Sequence, residues 1–180
     1  MAFAIKPRQT VMFTGDSITD CGRRDAHSPL GDGYVQMAAQ LIRCRYVGGG
    51  QTFLNTGIGG NKVSDLLDRW TDDVVLARPD WLSILIGVND LWHLVNGHPG
   101  TYEHARYAEQ YDTLLARTRK ELPKAQLIIV TPFFMSREKP GEDAFRAAMT
   151  KRLPAYTQTA RELARKYKAR LVDAQAMFQN

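Results

Sequence analysis

Short apolar segments alternate with longer segments of helical periodicity along nearly the whole chain. The apolar segments cover residues 10–14, 52–55, 81–87, 127–131 and 170–173, and each has the length of a buried strand. Strands that alternate with helices are typical of a parallel sheet built by right-handed crossovers, with helices on both faces. We therefore predict an α/β fold of three layers, α/β/α, with five buried parallel strands in the order 2-1-3-4-5.

Four stretches between the apolar segments carry apolar side chains at three- and four-residue steps, the spacing of a helix face packed on a core. Pro154 interrupts the last of these stretches, so we expect a kink or a helix boundary there. The apolar positions are Tyr34, Met37, Ala38, Leu41 and Ile42; Val63, Leu66, Leu67, Trp70 and Val74; Tyr107, Tyr111, Leu114 and Thr118; and Phe145, Met149, Leu153, Tyr156, Ala160, Leu163 and Tyr167.

The length of 180 residues fits one domain over 1–180, without a linker or an internal repeat. Apolar residues make up 44% and charged residues 24%, which excludes a disordered or fibrous chain. No apolar run approaches the roughly 18 residues of a membrane span. The two cysteines and the lack of a secretory signal at the start favour a reducing, cytoplasmic location. A single disulfide between the two cysteines is also compatible with the sequence.

The net charge of +5 is concentrated in residues 161–170, which hold five basic residues and one acidic residue. A nucleic-acid interface would need such a cluster together with a recognition motif, and none is present. We therefore interpret the basic segment as a solvated helix face and expect neither a nucleic-acid nor a membrane partner.

Polar and glycine-rich segments follow the first three predicted strands. Ser17 comes after the first strand, Gly60 lies in a glycine-rich turn after the second, and Asn89 comes after the third. Parallel sheets place their chemistry beyond the carboxyl ends of the strands, so we expect these three residues to meet there. Each segment alone has a simpler explanation, namely a helix N-cap, a phosphate-binding loop or a turn.

Together the three segments favour acyl transfer, which needs a nucleophile and hydrogen-bond donors for an oxyanion. Ser17 would supply the hydroxyl and one backbone N–H. Gly60 would supply a second N–H, because a glycine lets the backbone approach closely. The side-chain amide of Asn89 would supply a third donor, which completes a predicted oxyanion hole of Ser17, Gly60 and Asn89.

The chain resembles the SGNH hydrolases, also called GDSL-type esterases and lipases, over essentially all of its length. Its closest likeness within that family is to cytoplasmic acetyl-xylan esterases of the carbohydrate-esterase type. The family's first three blocks are matched by Gly15-Asp16-Ser17, by Gly60 and by Gly87-Val88-Asn89-Asp90; further matches are Asp20-Cys21-Gly22-Arg23, Gly31-Asp32-Gly33-Tyr34-Val35, Pro79-Asp80-Trp81, Leu91-Trp92 and Thr131-Pro132-Phe133.

The resemblance implies a serine esterase that removes acetyl groups from xylo-oligosaccharides, works without a metal or cofactor, and forms a homo-oligomer. Asp16, Tyr34 and Trp92 are candidate substrate-binding residues. The two aromatic residues are candidates because their faces suit sugar rings, and a place in the core is the alternative for both. A lysophospholipase or thioesterase with the same machinery is the alternative enzyme. The alternative that is not an enzyme is a carbohydrate- or nucleotide-binding relative with a vestigial serine site.

The family's general base comes from a D-x-x-H block after the fifth strand, and this block is absent from the sequence, which ends at Asn180. We expect either a longer protein that carries the catalytic loop and last helix, or a chain whose catalysis is impaired. His93 lies near a strand end, but the family does not take its base from this region. Asp173 ends a strand, and we interpret it as structural.

Overall fold

Five parallel strands form one sheet in the computed structural model, which describes residues 4–97, 103–136 and 143–179. The strands are β1 (Thr10–Gly15), β2 (Thr52–Asn55), β3 (Trp81–Leu85), β4 (Gln126–Val130) and β5 (Arg170–Val172). They lie in the order β2-β1-β3-β4-β5, and every neighbouring pair is parallel. The predicted fold class and strand order are confirmed.

Helices connect the strands and cover the sheet. They are α1 (Ser17–Asp20), α2 (Tyr34–Arg45), α3 (Val63–Trp70), α4 (Val88–Val95), α5 (His104–Glu121), α6 (Ala144–Lys166) and α7 (Ala174–Gln179). A π-helical turn, Thr71–Val75, continues α3 and brings Val74 into the core.

The core lies on both faces of the sheet. On the first face, residues such as Met12, Leu82 and Ile129 pack with α3, α4, α5 and α6. On the second face, Val11 and Phe13 pack with α2. All of β3 is buried, which explains why its sequence is almost continuously apolar rather than alternating.

The strand order positions the site. Because all five strands run in one direction, their carboxyl ends lie at the same edge of the sheet. β1 lies between β2 and β3, so the segment after β1 is flanked by the segments after β2 and β3. These are the three segments in which the sequence places Ser17, Gly60 and Asn89.

The prediction of five buried strands is wrong for β5. All three of its residues are exposed, with Leu171 at 41% and Val172 at 38%. β5 is the edge strand and pairs only with β4. Its apolar sequence therefore resembles that of a central strand, although no strand pairs with the outer side of β5.

The predicted apolar stripe of α2 is also partly wrong. Val35 and Ala39 are buried, whereas Met37 is 62% exposed and Leu41 is 70% exposed. Two positions along a helix correspond to a rotation of about 200°, so residues 37 and 41 lie roughly opposite residues 35 and 39. The small side chain of Ala39 is the one that packs on the sheet.

Pro154 does not end α6, which runs unbroken from Ala144 to Lys166. Leu153 and Tyr156, on either side of the proline, are almost fully buried. Their packing offsets the backbone hydrogen bond that a proline removes. Of the two expected outcomes, a helix boundary at Pro154 is therefore wrong, and a kink stays a prediction.

The two cysteines are free thiols, with Cys21 partly buried and Cys44 exposed. Among the helices that the described ranges contain, none is long and apolar enough to cross a bilayer.

Candidate active site

The candidate nucleophile is the first residue of a short helix that begins directly after β1. Asp16 is the N-cap of α1, and its Oδ1 accepts a hydrogen bond of 3.0 Å from the backbone N–H of Ile18. Ser17 is exposed at the start of the helix. Gly15 makes this sharp exit possible, because a Cβ at that position would overlap the carbonyl oxygen of Leu85.

Asp16 has no exposed surface, and its second carboxyl oxygen has no hydrogen-bond partner among the described residues. Burial raises the pKa of Asp16 to about 6, although the N–H of Ile18 opposes the rise. The carboxyl caps the turn that carries Ser17. Because Asp16 is fully buried, it presents no surface to a substrate in this structure.

Asn55 joins the exit of β2 to the nucleophile's helix. Its side-chain amide donates to the carbonyl oxygens of Thr19 (2.6 Å) and Leu30 (2.8 Å). Its side-chain oxygen accepts the N–H of Gly57 at 2.9 Å. The Nε of Arg23 donates to the carbonyl of the same glycine at 2.6 Å. The segment 56–61, called the glycine loop below, is thereby fixed to α1.

Asp20 brings the glycine loop next to Ser17. Its carboxylate accepts the N–H of Gly59 at 3.1 Å and pairs with Arg24 at 2.8 Å. Burial opposes ionisation of Asp20, but the hydrogen bonds from Arg24 and Gly59 outweigh it and hold its pKa below the ordinary value. A Cβ built on Gly59 would lie 3.8 Å from the Cβ of Ser17, so loop and nucleophile are in van der Waals reach.

Asn89 joins the exit of β3 to the glycine loop. Its Nδ2 donates to the carbonyl oxygen of Asn61 at 3.0 Å. Gly60, the residue before, has a φ of +81° and no neighbour within 4 Å of a built Cβ, so its surroundings are open. The structure therefore places Ser17, Gly60 and Asn89 on adjoining segments that hydrogen-bond to one another.

Asp90 is buried beneath this edge and caps α3. Its carboxylate accepts the N–H of Val63 at 3.3 Å. Burial raises the pKa of Asp90 to about 7, against the opposing effect of that hydrogen bond.

The two aromatic candidates have different surroundings. The hydroxyl of Tyr34 hydrogen-bonds Thr19 Oγ1 at 3.1 Å, and its ring meets Phe13 edge-on at 5.9 Å. Burial raises the pKa of Tyr34 to about 12. Trp92 is 44% exposed on α4 and contacts Phe145 with its ring centroid 6.5 Å away. Tyr34 is half-buried and supports α1, and Trp92 is the more exposed of the two aromatic candidates.

No hydrogen bond joins a histidine to Ser17 within residues 4–97, 103–136 and 143–179. His27 pairs with Asp32, and His104 hydrogen-bonds Thr159 Oγ1 at 2.8 Å on α6. His93 lies against Trp92. His98 lies outside the described residues.

Sequence reasoning missed the side chains that hold the glycine loop, namely Asp20, Arg23 and Asn55. Asn55 could have been found as a polar residue at the end of a predicted buried strand, because a buried amide needs hydrogen-bond partners. Asp20 is the last residue of α1 and Arg24 lies in the turn after it. A spacing of four positions would predict an ion pair within a helix, but it does not predict the bond of Asp20 to Gly59.

Comparison with known proteins gives consistent results for family and fold. The GDSL-like lipase/acylhydrolase family matches residues 13–180. An acetylxylan esterase from Geobacillus stearothermophilus is 35% identical over 178 residues, which cover 94% of this chain and 78% of that protein.

Solved structures of similar proteins agree with this family and with the fold described above. A structure described as a GDSL-like lipase from Parabacteroides merdae superposes with a TM-score of 0.85 and 35% identity, covering 97% of this chain and 81% of that one. Axe2, an acetylxylan esterase from Geobacillus stearothermophilus, superposes with a TM-score of 0.82 and 32% identity, covering 98% and 80%. Its solved variants include catalytic mutants at a serine, an aspartate and a histidine.

Proposed function

The chain belongs to the GDSL-like lipase/acylhydrolase family, and on that premise we propose that it is a serine esterase that removes O-acetyl groups from sugars, with short acetylated xylan fragments as its substrates. The observation that carries the proposal is the exposed Ser17 at the start of α1, beside the glycine loop and Asn89. The similarity to acetylxylan esterases supports the choice of acetyl esters.

In the proposed reaction, Ser17 Oγ attacks the acetyl carbonyl carbon and forms a tetrahedral intermediate. Its oxyanion accepts hydrogen bonds from the N–H of Ser17, the N–H of Gly60 and the side-chain amide of Asn89. Collapse expels the sugar hydroxyl and leaves an acetyl-enzyme, which water then hydrolyses. Each donor contributes about 3 to 4 kcal/mol to lowering the barrier.

A general base must take the proton of Ser17 and return it to the leaving sugar oxygen. We propose an aspartate–histidine pair of the kind replaced in the Axe2 catalytic mutants. Without such a pair, the protein would keep oxyanion stabilisation and substrate binding but would turn over slowly.

Trp92 is the proposed sugar-stacking residue, since its ring is exposed on the helix that carries Asn89. The remaining parts of the proposal are a single catalytic domain over 1–180, a cytoplasmic location, a homo-oligomer, and an activity that needs neither metal nor cofactor. Nucleic acids and membranes are not among the proposed partners.

The test compares acetate release from acetylated xylo-oligosaccharides, and hydrolysis of nitrophenyl acetate and octanoate, in the wild type, Ser17→Ala and Ser28→Ala. Ser28 is an exposed serine outside the site and serves as the matched control. We expect a preference for acetyl over octanoyl esters that Ser17→Ala abolishes and Ser28→Ala keeps. A preference for octanoate would favour a lysophospholipase or thioesterase instead. If a fluorophosphonate probe leaves Ser17 unlabelled in a protein that carries the aspartate–histidine pair, the serine-esterase assignment is wrong.

A further inference from the structure

Arg69, near the end of α3, has a hydrogen-bond pattern that helix stability alone does not explain. Its Nη1 donates to the carbonyl oxygen of Thr56 at 2.7 Å, and its Nη2 to that of Gly15 at 3.3 Å. Its Nε donates to the side-chain oxygen of Asn61 at 2.9 Å. It also pairs with Asp73, one turn along the helix. The side chain is only 17% exposed.

The acceptors of Arg69 belong to the segments that form the candidate site. Gly15 ends β1 two residues before Ser17. Thr56 and Asn61 are the first and last residues of the glycine loop, and Asn61 also accepts the amide of Asn89 through its carbonyl. One guanidinium therefore contacts the nucleophile's strand and both ends of the loop.

We propose that Arg69 is a positioning residue, which holds the N–H of Gly60 and the amide of Asn89 in register with Ser17; this role rests on the proposed function. Without Arg69, the carbonyls of Gly15 and Thr56 lose the cation that links them. The start of the glycine loop keeps its backbone bonds to β1, from the N–H of Thr56 to Phe13 and from the N–H of Ile58 to Gly15. The far end of the loop loses the bond to the side chain of Asn61 and can shift relative to Ser17. A displacement of about 1 Å at a reacting centre costs about 10²-fold in rate.

The chemistry of the guanidinium group suits this task. It carries five N–H donors in a rigid plane, so it can serve separate acceptors at fixed angles at the same time. A lysine ammonium is a single point of charge and would keep the ion pair with Asp73 but lose the simultaneous contacts. Arg69→Lys therefore separates the positioning role from the ion pair.

The alternative is that Arg69 only stabilises α3 through its pair with Asp73. Arg117 provides the matched control, because it forms the same kind of pair with Glu121 on α5 at 2.8 Å. Its described contacts, which include Thr71, do not involve the exits of β1 and β2. Arg117→Ala thus reports the loss of an ordinary arginine ion pair.

The experiment measures two affinities in the wild type, Arg69→Ala, Arg69→Lys and Arg117→Ala. The first ligand is ethylboronic acid, whose boron forms a bond with Ser17 Oγ while the hydroxyl proton leaves, giving a tetrahedral anion that needs the oxyanion donors. The second is xylotriose, a deacetylated sugar that binds without an oxyanion. Thermal midpoints check that each variant is folded.

We expect both Arg69 variants to bind ethylboronic acid about 10²-fold more weakly than the wild type and xylotriose within about twofold. Arg117→Ala should keep both affinities. If Arg69→Ala does not fold, Arg69→Lys decides the question. Equal losses for both ligands, or Arg69→Lys binding the boronate like the wild type, would overturn the positioning role. If the wild type does not bind the boronate, the proposed function itself is wrong.

Discussion

Asn89 is the proposed oxyanion donor that also holds the glycine loop, because one hydrogen of its side-chain amide reaches the carbonyl of Asn61 and the proposed function assigns the other to the substrate. Its Nδ2 lies 3.0 Å from the carbonyl of Asn61. Removing one oxyanion donor typically lowers kcat by about 10² to 10³. We expect Asn89→Ala to lower kcat for acetyl esters by about this factor and to leave KM nearly unchanged, as measured by steady-state kinetics.

Asn96 supplies the control for this prediction. It is an exposed asparagine at the end of the same helix, and its amide donates to the carbonyl of Trp92 at 2.9 Å. Asn96→Ala should change kcat less than threefold. Equal effects of the two substitutions, or a loss at Asn89 that appears only in KM, would contradict an oxyanion role.

Asp90 should make the stability of the fold depend on pH. Burial raises its folded pKa from 3.8 to about 7, so the folded protein keeps the proton up to a higher pH than the unfolded chain does. Folding takes up a proton between these values, and stability therefore falls as pH rises through this window. Asp90→Asn stays neutral and can still accept the N–H of Val63. The free energy of unfolding should drop between pH 5 and pH 8 by about 2 kcal/mol more in the wild type than in Asp90→Asn.

Urea denaturation at both pH values measures this difference. Asp68→Asn, on the exposed face of α3, is the control and should follow the wild type. Asp16 also has a raised pKa, but it is present in all three proteins and cancels in the comparison. Parallel pH profiles for the wild type and Asp90→Asn would show that Asp90 is already ionised at pH 5.

The sequence predicts where Ser17, Gly60 and Asn89 lie better than it predicts the side chains that hold their segments together. Ser17, Gly60 and Asn89 each follow a strand, and parallel topology brings strand ends together without any knowledge of side-chain contacts. The bonds of Asn55 to Thr19 and Leu30 span 36 and 25 positions. Contacts of this kind depend on loop paths that local patterns do not encode.

At the scale of elements, periodicity locates a helix more reliably than its buried face. Residues 34–45 form the predicted helix, yet Met37 and Leu41 are exposed while Ala39 is buried. A small side chain such as that of Ala39 adds little to a hydrophobicity pattern, although it allows the helix to pack closely on the sheet. β5 shows the same limit, because an apolar run does not reveal whether a strand lies at the centre or the edge.

Asp173 connects three elements at the open edge of the sheet. Its Oδ2 pairs with Arg161 of α6 at 2.7 Å, and its Oδ1 accepts from Thr131 (3.3 Å) and from the N–H of Ala176 in α7 (3.2 Å). Partial burial opposes ionisation, but these bonds lower the pKa of Asp173. We expect Asp173→Ala to destabilise the fold by about 1 to 3 kcal/mol, since it removes charged hydrogen bonds.

This change should leave the site intact, because the described hydrogen bonds and ion pairs of Asp173 involve Arg161, Thr131 and Ala176 and not Ser17. The measurement is the urea midpoint together with the rate of fluorophosphonate labelling. Glu162→Ala, on the exposed side of α6, is the control for stability. A labelling rate that falls in Asp173→Ala at a temperature where the variant is fully folded would assign the carboxylate to catalysis.

At the scale of the whole molecule, part of the positive charge concentrated in residues 161–170 is paired with carboxylates. Arg161 pairs with Asp173, and Lys166 pairs with Asp112 at 2.7 Å. Arg170 lies over the ring of Trp81, 5.0 Å from its centroid. We expect the protein to leave a heparin column at about 0.2 M salt or below, since two of the five basic side chains in this segment are already paired and the salt dependence follows the number of cations that displace counterions. Retention above about 0.5 M salt would instead indicate a nucleic-acid interface.

Exposed apolar side chains at the edge of the sheet favour self-association. Leu171 and Val172 on β5 are followed directly by α7, in which Met177 is 69% exposed and Phe178 is 52% exposed. Contiguous apolar surface of this kind commonly mediates association. We expect the wild type to form oligomers at micromolar concentrations, and Met177→Lys to shift it toward monomer, as measured by analytical ultracentrifugation. Val47→Lys places the same charge on an equally apolar but separate position, 90% exposed, and should leave the oligomer intact. A monomeric wild type, or equal dissociation by both substitutions, would show that this edge is not the contact.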